Sequence, residues 1–213
     1  MEGSCGRSDP VLLDRVWTKT SRRRLLGRGA VAGAAAIGGF SLLGPRAVPA
    51  GAAPSQAQDQ KILNFALLLE YLQAAFYRGA VDHGRLKGEV REFAEIVSGH
   101  ERAHVDFLRK ALGARARERP TFDFGDATQN ESKFLDAAVL LENTGVAAYN
   151  GQAANLTKKA LAAAAEIVSV EGRHAAWVSD LAGKDPAPHA ADLGASAPAV
   201  ASTLRRTGFL KGA

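Results

Sequence analysis

Glu101-Arg102-Ala103-His104 recurs 70 residues later as Glu171-Gly172-Arg173-His174. On a helix, positions three apart lie about 60° apart around the axis, so each Glu and its His project from one face. A carboxylate beside an imidazole is a good ligand pair for iron, manganese or zinc. One E-x-x-H in a chain of 213 residues carries little weight. Two gain weight from what precedes them.

Each is preceded by a helix-like stretch with a single Glu in apolar surroundings, Leu67-Leu68-Leu69-Glu70-Tyr71-Leu72 and Val139-Leu140-Leu141-Glu142-Asn143. A carboxylate in an apolar helical stripe is costly to bury unless it is paired or holds a metal. The order Glu70, Glu101/His104, Glu142, Glu171/His174 is the ligand set of a four-helix di-metal carboxylate bundle, with single Glu residues from two helices and Glu-x-x-His from the other two.

An internal repeat supports this reading. Glu70 and Tyr77 stand 72 residues before Glu142 and Tyr149, with Ala75/Ala147 and Gly79/Gly151 in step. Ala94-Glu95-Ile96-Val97-Ser98 is echoed by Ala165-Glu166-Ile167-Val168-Ser169, one residue out of phase with the E-x-x-H. One helical hairpin is used twice, and the two copies face each other across a shared centre.

Residues 1–50 read as a leader. Ser21-Arg22-Arg23-Arg24-Leu25-Leu26 resembles a twin-arginine export motif, with Arg22 and Arg23 as contacts for the translocase, and an uncharged run from Gly29 to Gly44 follows. That run is short for a membrane span and suits a signal-peptide apolar region, with small residues for cleavage after Ala50, or at Ala52 or Ala53. The alternative is a helix that stays attached as a membrane anchor. Export to the periplasm, cell envelope or exterior is expected either way.

Charge agrees with this division. Residues 1–50 hold 8 Lys/Arg against 3 Asp/Glu, whereas residues 51–213 hold 19 of each. The basic excess therefore belongs to the leader, and the rest gives no electrostatic case for nucleic acid. The single Cys, Cys5, also lies there, so disulfides and thiolate ligands are not expected after cleavage.

After a linker at 51–57, four helices are expected within residues 58–182: Asp59 to Val81, Lys87 to Leu112, Glu131 to Asn155 and Lys158 to Ala182. Ile62, Phe65, Leu69, Leu72 and Phe76 follow the helical period on the first; Phe93, Ile96, Val97, Val105 and Leu108 are placed on the buried side of the second. Asn130 and Thr157 are expected caps, and Gly113 and Gly183 stops. Ala114 to Gln129 is long for a connection, as required when the third helix starts from the far end of a bundle. Strand alternation is nearly absent. In the tail, 183–213, Ala197 to Leu210 has the makings of a short helix packed on the bundle.

The segments LNFALLLEYLQAAFY, HERAHVDFL, VLLENTGVAAY and VEGRHAAWV resemble the ferritin-like superfamily, within it the exported group related to desiccation-related proteins. The resemblance covers residues about 60 to 180. It implies an all-α, ferritin-like four-helix bundle with one long crossover between helices 2 and 3, and a centre of two iron or two manganese ions. It also implies ferroxidase, peroxide-consuming or oxygen-activating chemistry, although some members have no established activity. A Glu followed seven residues later by Tyr recurs in that superfamily, which marks Tyr77 and Tyr149 as partners of ligand carboxylates. The chain departs from the pattern in two ways. It has no rubredoxin-like Cys pairs, and no Asp stands directly before Glu101 or Glu171 to steady a His.

The metal set is thus Glu70, Glu101, His104, Glu142, Glu171 and His174. Four carboxylates there carry about −4 before metal binds, so two divalent ions relieve repulsion and stabilise the fold. Zinc fits this oxygen-rich set less well than iron or manganese. Other residues have ordinary roles in this reading. His100 faces a neighbour or solvent, His83 and His189 are solvated, and Trp177 is core. Arg102 and Arg173 pair with surface carboxylates, while Arg115, Arg117 and Arg119 belong to a solvated crossover.

Two functions stay open. One is a di-metal oxidoreductase acting on oxygen or peroxide in stress protection. The other is a non-catalytic stress- or desiccation-associated protein in which metal only holds the bundle together. A third, cage storage of iron, sits poorly with export, though homo-oligomers fit the sequence.

Overall fold

A computed structural model describes residues 53–211. The expected leader, with Arg22, Arg23 and Cys5, lies outside the described residues.

Four long helices dominate: α1 (Gln56–His83), α2 (Gly88–Leu112), α3 (Glu131–Gln152) and α4 (Lys158–Leu181). Local chemistry sets their ends. The side chains of Ser55, Asn130 and Thr157 accept backbone N–H groups at the starts of α1, α3 and α4. Gly84 closes α1 at φ 63°, a left-handed conformation that Gly adopts without a Cβ penalty. α3 stops three residues earlier than expected, and Ala153–Asn155 continues as a 3-10 turn.

α1 packs along α2 and α3 along α4, giving two hairpins. The core forms two apolar clusters. One gathers Leu72, Phe76, Tyr77, Phe93, Phe134 and Val178; the other gathers Leu67, Val105, Leu108, Tyr149 and Ile167. Along each helix the site residues fall between members of the two clusters, so the polar centre is closed off at both ends. Ile96, expected on the buried side of α2, is instead 38 % exposed. It lies about 100° around the axis from the middle of the stripe formed by Phe93, Val97, Glu101, His104 and Leu108.

The crossover is tied down rather than loose. Asn64 of α1 accepts from the Arg117 N–H at 2.8 Å and donates to the Arg115 carbonyl at 3.1 Å. In the first turn of α1, Asp59 caps α4 from a distance, accepting from the Thr157 N–H at 2.9 Å and from its hydroxyl at 2.6 Å.

The tail forms a helix, α5 (Ala197–Thr207), packed on α3, and it ends earlier than the expected Leu210. Gly208 turns the chain at φ 70°, and a two-residue strand β2 (Leu210–Lys211) pairs antiparallel with β1 (Thr121–Phe122) of the crossover. This ladder has no alternation signal because it is too short to show one. Side chains reinforce it. Phe76 stacks on Phe134 at 5.2 Å, and Phe124 from the crossover and Phe209 from the tail pack against Phe76. Such aromatic pairs contribute about 0.5–1.5 kcal/mol each beyond area burial. Among the described residues, no helix is long and apolar enough to cross a membrane.

Candidate metal centre

α1 supplies Glu70, α2 Glu101 and His104, α3 Glu142, and α4 Glu171 and His174. The structure brings all six together, and every one is buried. They fall into two overlapping groups whose ligand atoms lie within 4.8 Å of one another: Glu70, Glu101, His104 and Glu171, and Glu101, Glu142, Glu171 and His174. Glu101 and Glu171 are common to both.

Each carboxylate outside that common pair has an outer oxygen that is hydrogen-bonded and an inner one that is not. Tyr149 donates to Glu70 Oε1 at 2.6 Å, and Tyr77 to Glu142 Oε1 at 2.6 Å. Gln73 Nε2 donates to the same Glu142 oxygen at 3.0 Å and to Glu171 Oε2 at 3.3 Å. Carboxylates only accept, so the Gln73 nitrogen must face them. The inner atoms, Glu70 Oε2, both oxygens of Glu101, Glu142 Oε2, Glu171 Oε1 and Nδ1 of His104 and His174, are buried with no hydrogen-bond partner. His104 Nδ1 lies 3.2 Å from Glu70 Oε2 and from Glu171 Oε1, and His174 Nδ1 lies 3.2 Å from Glu101 Oε1 and 3.3 Å from Glu142 Oε2.

Buried polar atoms without partners are rare because each costs about 1–3 kcal/mol, more when charged. Seven of them on residues that form two overlapping groups fit cations between them. Oxygen-rich donors with two imidazoles suit iron or manganese by ligand type.

The electrostatics of the protein without metal tell the same story. Burial, then the charge of Glu101, pushes Glu70 up to about 8. Burial, then Glu70 and Glu142, raises Glu171 to about 7, and Glu101 rises for like reasons. Burial pulls the imidazoles down, but the carboxylates around them win. His104 is pushed up to about 12 by Glu101, Glu171 and Glu70, and His174 to about 10 by Glu101 and Glu142. Without metal the cluster therefore holds protons to offset its charge. Burial and the neighbouring Glu raise both Tyr hydroxyls well above their usual range, so they stay protonated and donate.

Two contributors were not evident from sequence. Gln73 stands three residues after Glu70, the spacing of each His from its Glu, and a polar residue at that place in an apolar stripe was the available signal. His100 does not face solvent alone. Its Nδ1 lies 2.9 Å from His174 Nε2. The rings are nearly coplanar, 12° apart with centroids at 5.2 Å, so a 2.9 Å nitrogen contact means they meet edge to edge.

His100, His104, His174, Arg173 and Trp177 line an open depression of about 380 Å³ that reaches the two ligand imidazoles from solvent. Trp177 is partly buried, its ring packed edge-on against Phe93 at 5.1 Å. Arg102 and Arg173 are exposed, and neither makes the expected ion pair among the described residues. His83 and His189 are exposed as expected.

A family model described as a ferritin-like domain matches residues 58–184. A search of curated proteins finds no match.

Proposed function

The chain belongs to the ferritin-like domain family, and from that premise we propose that it is an exported protein whose buried cluster holds two iron or two manganese ions for redox chemistry on oxygen or peroxide. The observation that carries this reading is the set of seven buried, partnerless atoms on residues that form two overlapping groups. Glu70 and His104 would hold one ion and Glu142 and His174 the other, with Glu101 and Glu171 shared. When bound, two such ions supply electron exchange with oxygen or peroxide.

The rest is work for the chain's own residues. Tyr77, Tyr149 and Gln73 hold the outer carboxylate oxygens, which leaves the inner ones free. The apolar clusters on both sides keep water out and strengthen every electrostatic contact within. The depression beside His104 and His174 gives a small neutral molecule a way in. A metal serving the bundle alone has no need of such an opening, which favours turnover over a purely structural ion.

Residues 1–50 belong to this proposal as a twin-arginine signal, with Arg22 and Arg23 at the translocase. Protection of the cell envelope or exterior from oxidants is the role that suits that route. Proteins taking that route are exported already folded, which fits a site that needs all four helices before metal can bind.

Elemental analysis of the protein purified from its native compartment tests the reading. About two irons or manganese ions per chain, followed by measurable peroxide or oxygen consumption, is the expected result. No metal, and none taken up on adding iron or manganese, would overturn it.

A further inference from the structure

The repeat relating the two hairpins breaks at the site, and the breaks fall on one side. Three residues after Glu70 comes Gln73; three after Glu142 comes Gly145. A Cβ at Gly145 would meet Glu171 Oε2 at 2.8 Å and lie 3.5 Å from the Gln73 carbonyl oxygen, so the glycine makes room for that carboxylate and for Gln73. The residue before Glu101 is His100, whereas the one before Glu171 is Val170. His100 hydrogen-bonds the outer nitrogen of His174, and among the described residues none does so for His104.

The Glu142–His174 end is consequently braced three times, by Tyr77, Gln73 and His100. Among the described residues, the Glu70–His104 end has Tyr149 alone. The brace on His174 also selects its tautomer. Donation of Nε2–H to His100 Nδ1 leaves Nδ1, which faces Glu101 Oε1 and Glu142 Oε2, as the nitrogen open to a metal once its proton is displaced. Partners behind a ligand imidazole fix its orientation and raise its basicity. A position already ordered loses less freedom when it binds.

We propose that His100 and Gln73 are positioning residues that make the two metal positions unequal, so that the first ion binds at Glu142–His174 and the second, more weakly, at Glu70–His104. The braced end is a resident position and the other an exchangeable one. This inference rests on the di-metal reading above.

Titration of the metal-free protein with cobalt(II), followed by calorimetry and visible absorption, tests it. The wild-type chain should show two steps of unequal affinity. Glu142→Gln should remove the tight step and Glu70→Gln the weak one. His100→Ala should weaken the tight step about 10- to 100-fold and leave the weak one in place. His100→Asn, whose Oδ1 takes the place of Nδ1, should restore it, which a mere packing role would not require. His100 is exposed, so these variants fold. If a buried-site variant fails to fold, the wild-type isotherm with the two His100 variants still decides. Two equal steps, a tight step surviving Glu142→Gln, or equal loss of both steps in His100→Ala would overturn the proposal. No cobalt uptake by the wild-type chain would instead overturn the di-metal reading itself.

Discussion

Tyr149 of α3 donates its hydroxyl proton to Glu70 of α1 across 2.6 Å, so a residue of one hairpin completes the site of the other. Tyr77 and Glu142 make the reciprocal bond, also at 2.6 Å. The two are not of equal weight, because Glu142 Oε1 also receives Gln73, whereas among the described residues Glu70 Oε1 receives nothing else.

Tyr149→Phe should therefore cost more than Tyr77→Phe. The first strands a buried carboxylate oxygen, at about 1–3 kcal/mol, while the second leaves Gln73 in place. Chemical denaturation of both metal-free variants measures this; equal losses would count against Gln73 as a donor to Glu142.

The pH dependence of the metal-free protein has a definite sign. Glu70 at about 8 and Glu171 at about 7 hold protons that an unfolded chain releases near 4.5. His104 at about 12 and His174 at about 10 hold protons that an unfolded chain releases near 6.5. In each case the native state binds more protons, so stability is greatest at acid pH and falls as pH rises from about 4.5 to about 12. Metal binding must displace those protons, so affinity rises with pH over the same window. Melting curves with and without manganese should show a falling Tm without metal and a metal-induced gain that widens with pH. A metal-free Tm that climbed across that window would refute the assignment.

Glu101 and Glu171 stand in both ligand groups, so Glu101→Ala/Glu171→Ala should abolish metal content altogether. The isosteric Glu101→Gln should lower it too, yet raise the Tm of the metal-free protein, because one of four crowded carboxylates is neutralised. Elemental content and thermal melts on one preparation read both. Metal retained at wild-type level in the double variant would mean the site lies elsewhere.

Gly145→Ala places a methyl group 2.8 Å from a Glu171 oxygen. Overpacking of this kind costs about 1–3 kcal/mol, and the displaced carboxylate belongs to both ligand groups. The expected result is a folded bundle with lowered Tm and reduced metal content. An unchanged metal content would show that Glu171 has room to yield.

The clustering of the six Glu and His residues was legible because helical spacing converts sequence offsets into shared faces. Glu101 with His104 and Glu70 with Tyr77 needed only the 3.6-residue period, and the repeat carried both relations to the second hairpin. Residues that act between helices were less so. His100 lies at the edge of the α2 stripe, and only the packing of α4 against α2 shows that it meets His174 rather than water. Ile96 is as apolar as Val97, but among the described residues no helix buries its side. The pairing of Phe122 with Leu210 joins residues far apart in the chain by two-residue strands, which leave no period to detect.

Gln73 facing Gly145 says something about how such a chain can change. Two identical hairpins associating as separate molecules would carry the same residue at both places, and two glutamines would compete for the space beside Glu171 that the glycine leaves open. Joining the copies through the crossover removes that constraint, since each position now has its own codon. It also replaces an encounter between molecules with one inside a single chain, independent of protein concentration.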